Sequence, residues 1–90
     1  MDKNKPKDHN SLKVFHAAAA SYIVGNTTHV KLQGSQEKIH ATKNILEASK
    51  KLYQELNSPD ASLQKVSMLL EAKREASTKF RQITGINWLL

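Results

Sequence analysis

Two long segments in which apolar residues recur at alternating intervals of three and four constrain this chain most. Residues 36–56 carry Ile39, Thr42, Ile45, Leu46, Ser49, Leu52, Tyr53 and Leu56. Residues 59–84 carry Leu63, Val66, Leu69, Leu70, Ala76, Phe80 and Ile83, with Lys73 set into the row. That spacing lines one face of a helix, so each segment is expected to be amphipathic and half-buried. The punctuation agrees. Ser35 is placed to cap the first helix and Glu37 meets its positive end. Ser58 is expected to cap the second, with Pro59 at its first position and Asp60 beside it, and Gly85 to stop it after Thr84. Lys43–Glu47 and Lys51–Glu55 stand four apart on the outer side, where opposite charges pair weakly. Lys73 can lay its stem along the core edge with its amine in water. The short Asn57–Asp60 break predicts that the two helices fold back as an antiparallel pair.

Residues 11–33 admit two readings. In the first, Tyr22–Val24 and Thr27–Val30 flank the turn signal Gly25-Asn26 and form a β-hairpin. Ile23 then faces Thr28, Ser21 faces Val30, and Ala19 faces Leu32. One face carries Phe15, Ala17, Ala19, Ile23, Val30 and Leu32; the other carries His16, Ala18, Ala20, Tyr22, His29 and Lys31, the division a half-buried sheet requires. In the second, Ser11 caps a helix over Leu12–Val24 that Gly25 stops, favoured by the run Ala17–Ala20. The first reading places the apolar side chains consistently and gives Thr27–Leu32 a partner strand. The expected fold is therefore α+β, an N-terminal hairpin packed on an antiparallel pair of long helices. All-α with three helices is the alternative if 11–24 is helical.

Ahead of this lies Met1–Asn10, charged and without a large apolar residue past Met1, which reads as a disordered basic arm. Residues 11–90 then form one domain, as suits a chain of 90 residues. The arm does not resemble a secretory signal, and no apolar run reaches the length that spans a bilayer, so no membrane role is expected. The chain has no cysteine, which excludes disulfides, thiol catalysis and cysteine-bound metals and suits the cytoplasm.

Little in the sequence supports catalysis. Neither a G-x-S-x-G elbow nor a phosphate-binding glycine loop can be written from Gly25, Gly34 and Gly85. His9, His16, His29 and His40 lack zinc-ligand spacing. All five Glu lie on expected helices beside Lys or Arg. No catalytic residue, metal or cofactor is assigned, and the chain is read as a binding protein.

Charge suggests a partner. Lys and Arg number 14 against 8 Asp and Glu, a formal charge of +6. Two are arginines, Arg74 and Arg81, and the rest lysines, a balance that attracts a phosphate backbone more than it reads bases. Lys3, Lys5 and Lys7 on the arm, with Tyr22, His29 and Lys31 on the open sheet face and Lys38 beside the next helix start, form a candidate surface for RNA or single-stranded nucleic acid. The junction Val30–Ser35 followed by a helix is similar, over a small part of the chain, to the strand–helix units of KH-type RNA-binding domains, though without their G-x-x-G loop. The alternative is an inhibitor or adaptor that occupies the surface of an acidic protein or of a second copy, as a homodimer or higher oligomer. It would use hairpin edges and the apolar tail Trp88, Leu89, Leu90. The same tail can instead fold back as a staple on the chain's own core. A third reading is capture of a small anion between chains of an oligomer.

Overall fold

A computed structural model describes the backbone of residues 4–32 and 34–90 and the side chains of residues 14–32 and 34–90. It holds three helices, α1 over Asn4–Ile23, α2 over Gln36–Leu56 and α3 over Leu63–Thr84, and no strand among the described residues. The α+β expectation is thereby overturned, and the three-helix alternative fits.

The correction has a physical reason. A lone two-stranded ribbon is marginal in water, and Ala17–Ala20 is a poor strand but the best of helix formers. As a helix the segment satisfies its backbone locally and presents small side chains to α2. Ala19 is fully buried and Ile23 nearly so. α1 starts upstream of the Ser11 cap and takes in residues assigned by composition to an arm. Met1–Lys3 and the side chains of residues 4–13 lie outside the described residues, so the arm reading of Lys3, Lys5 and Lys7 stays a proposal.

Thr27–Leu32 is an irregular loop. Its strand-like alternation is nonetheless used. Val30 and Leu32 are half-buried while His29 and Lys31 point outward, so an extended stretch lies along α2 without pairing in a ladder. With no strand there, the similarity to the KH-type unit and the open sheet face both go.

α2 is the central helix. Ala41, Thr42, Ile45, Leu46, Ser49 and Leu52 are its buried residues, and it packs on both α1 and α3. The expected stripe is met except at its C-terminal end, where Tyr53 and Leu56 are exposed. Ser35 Oγ caps the helix by accepting from Lys38 N–H at 3.3 Å. The second cap moves. Ser62 Oγ, not Ser58, accepts from Lys65 N–H at 3.1 Å, and α3 begins four residues later than expected. Ser58 Oγ instead accepts from Asp60 N–H at 3.2 Å and closes a local turn. At the far end Gly85 takes φ 76° and donates to the Arg81 carbonyl, a left-handed cap that glycine adopts without a Cβ penalty.

On α3 the residues turned to α2 are Val66, Leu69, Lys73, Ala76, Phe80 and Ile83, all half-buried or better. Phe80 is 2% exposed. Leu63 and Leu70, expected in this stripe, lie outside it.

Candidate interaction surfaces

Tyr22 lies in the last turn of α1, where the carbonyls of Ala20, Ser21 and Tyr22 accept from the N–H groups of Val24, Asn26 and Gly25 in the turn that follows. Its ring and backbone are both claimed by α2. Lys50 Nζ sits 4.2 Å from the ring centroid and donates to the Tyr22 carbonyl at 3.1 Å. A cation at the carbonyl end of a helix is favourable, and α1 has no basic residue in its own last turn. The Tyr22 hydroxyl donates to Glu47. That hydrogen bond raises the phenol above its ordinary 10.0, with burial and the Glu47 charge acting in the same sense. The clamp is therefore complete below that value and is lost as pH rises through the raised one. In a Tyr53→Phe background, phenolate absorbance should report Tyr22 with a midpoint above 10.0, and Glu47→Ala should lower it. A midpoint indifferent to Glu47→Ala would contradict the clamp.

Next to the clamp is a cleft of about 330 Å³. Val30, Leu32 and Ile39 form its apolar side, and Tyr22, His29 and Lys43 stand at its polar side with Glu47. The structure thus brings together two of the expected residues, Tyr22 and His29. It does not bring Lys31 or Lys38 to the cleft lining. Lys38 stands over Gly34, and its amide is already taken by Ser35. Lys43 and Lys50 are the cations present instead. Glu47 puts a carboxylate where a phosphate would have to approach, and Lys50 covers one face of the ring, so Tyr22 is not a free platform for a base. The expected Lys43–Glu47 and Lys51–Glu55 ion pairs do not form among the described residues; Glu55 accepts from Ser62 N–H at 3.1 Å.

The tail folds inward. Trp88 is half-buried and meets Phe15, His16 and Phe80 edge-on, with ring centroids 6.1, 6.2 and 5.4 Å away. Its Nε1–H donates to Ser49 Oγ at 3.0 Å. Among the described residues the backbones of α1 and α3 each pack closely on α2 but not on each other, and the indole touches all three helices. Lys73 completes the strap by donating to the Leu90 backbone oxygen at 2.8 Å. Leu89 points outward, 73% exposed, and Leu90 is 37% exposed. Of the three tail residues proposed as a partner anchor, Leu89 is thus the most accessible. His16 Nε2 is buried here without a hydrogen-bond partner, an arrangement that costs about 1–3 kcal/mol. The sequence carried no signal that His16 and Ser49 belong to one cluster.

A third surface was not anticipated. Leu63, Ser67, Leu70, Arg74, Ser77 and Arg81 follow one another at intervals of four and three. On a helix that spacing makes a second stripe, beside the one facing α2. Leu63 is 83% and Leu70 48% exposed. Arg74 meets Glu71 at 3.5 Å in an exposed pair. Both arginines of the chain fall on this stripe.

Compared with protein-family models, curated proteins and solved structures, the chain matches none. The functional reading therefore rests on these surfaces. Among the described residues, no three of His, Asp or Glu gather as metal ligands, and no helix is long and apolar enough to cross a membrane.

Proposed function

We propose that this protein is a non-enzymatic helical module of the cytoplasm that works by engaging another protein. The observation that carries this reading is the set of large apolar side chains left at the surface, Leu56, Leu63, Met68 and Leu70, each between 48% and 83% exposed. Scattered apolar residues are ordinary on a surface, but Leu63 and Leu70 share one helical stripe, and continuous apolar surface marks contact sites. The absence of cysteine supports the compartment.

Binding to RNA or single strands is the second reading, supported by the charge of +6. The clamp on Tyr22 and the interspersed glutamates weigh against it.

Two measurements separate the readings. The double variant Leu63→Ser, Leu70→Ser should unfold with a stability within about 0.5 kcal/mol per site of the parent, because exposed positions contribute little. Anisotropy of a labelled single-stranded oligonucleotide should show only weak capture, unaltered by that variant. Tight capture that falls steeply with salt would replace the protein-binding reading with the nucleic-acid one.

A further inference from the structure

We infer that the outward stripe of α3 is a docking seam for one amphipathic helix of an acidic protein; this rests on the protein-binding reading above. Three observations point to that partner.

Spacing comes first. α3 already seats one helix, α2, on positions 66, 69, 73, 76, 80 and 83. Positions 63, 67, 70, 74, 77 and 81 repeat the same three–four rhythm, all of them exposed but half-buried Ser77, and such a row can seat the side chains of another helix. Ser67 and Ser77 are small enough to let a second backbone approach between the larger side chains.

Composition of the seam comes next. Its N-terminal half presents Leu63 and Leu70, and its C-terminal half presents Arg74 and Arg81. Each pair is seven residues apart, about 10.5 Å along the axis. A complementary helix places apolar residues against the first pair and carboxylates, two turns apart, against the second. Guanidinium groups hold carboxylates in a two-pronged geometry that lysine cannot match. No carboxylate occupies the six seam positions. Glu71 holds Arg74 from the side, in a pair whose members are 69% and 62% exposed. Such a pair is weak enough to exchange for a better partner.

Net charge comes last. A chain at +6 repels a second copy of itself and attracts an acidic surface. That decides for an acidic partner over self-association.

The test uses the full chain and designed helical peptides of about 19 residues, long enough to run from Leu63 to Arg81. One has leucines and glutamates at the matching positions, its twin has lysines for the glutamates, and a third is a scramble of the first. Calorimetric titration should show the acidic peptide binding at least about tenfold more tightly than either control. Arg74→Glu with Arg81→Glu should transfer the preference to the lysine peptide. Leu63→Ser with Leu70→Ser should weaken the acidic peptide by about tenfold or more. Equal binding of the acidic and lysine peptides, lost in the leucine variant, would overturn the acidic partner while leaving the protein-binding reading standing. Concentration-dependent self-association through Leu63 and Leu70, with no preference among peptides, would do the same in favour of a second copy. Capture of the oligonucleotide with no peptide bound would overturn both.

Discussion

Phe80→Ala should remove about 3–5 kcal/mol of stability, the usual result of emptying a buried aromatic site. A chain of this length holds in total about 5–13 kcal/mol, so one side chain accounts for a large share. Phe80 is 2% exposed, whereas its neighbours on the inner face of α3 are half-buried. It also supports the Trp88 indole from 5.4 Å, edge to face at 79°. The substitution therefore leaves a cavity and loosens the strap above it. Urea denaturation measures the loss directly, and the melting temperature should fall on the order of 20 °C. A loss under about 1 kcal/mol would mean that the core lies elsewhere.

Trp88→Ala should cost about 2–4 kcal/mol, somewhat less than a fully buried tryptophan. Its distribution is the sharper expectation. α2 packs on both α1 and α3, and the indole bridges α1 and α3 through Phe15, His16 and Phe80. Loss of Trp88 should therefore raise amide exchange across the second half of α1, Val14–Ile23, more than across α2 or α3. The Tyr22–Glu47–Lys50 clamp remains and keeps the end of α1 attached. Trp88→Phe keeps ring contacts but removes the donor to Ser49 Oγ, and should cost about 1 kcal/mol. Uniform exchange in all three helices after Trp88→Ala would show that the strap does not join α1 to α3.

How much of this was legible in the residues depends on the scale of the signal. α2 was readable because its cap, stripe and break all agree at Ser35, Ile45 and Asn57. Gly85 was readable as a stop because few residues accept its backbone geometry. Thr27–Leu32 misled because alternation is a property of any extended chain on an apolar surface. Val30 and Leu32 alternate against α2 as they would in a sheet, and only a neighbouring strand could tell the two apart. Ser58 and Ser62 are both sound caps, and the choice between them is made by Glu55, whose carboxylate reaches the Ser62 amide across the turn.

The interaction surfaces were harder to read for a related reason. Leu63, Val66 and Leu70 obey the same three–four rule as Val66, Leu69 and Lys73, so two overlapping seams share one stretch of sequence. Which faces inward is decided by the packing of α2 on α3, and not by α3 itself. Tyr22 and His29 line one cleft, though not on the sheet face expected for them. Its partners Glu47 and Lys50 lie 25 and 28 residues away, and no local pattern links them. Trp88 was readable as an apolar residue in need of a seat, and the seat is intramolecular.

In the proposed reading this protein meets its partner on the outward seam of α3. Amide chemical-shift mapping of the labelled full chain, titrated with the acidic helical peptide, tests it at residue resolution. Shifts should gather on Leu63, Ser67, Leu70, Arg74 and Arg81 and leave Tyr22, His29 and the basic N-terminal stretch unmoved. Shifts that gather instead on Lys3, Lys5, Lys7, Tyr22 and His29, with α3 silent, would contradict it.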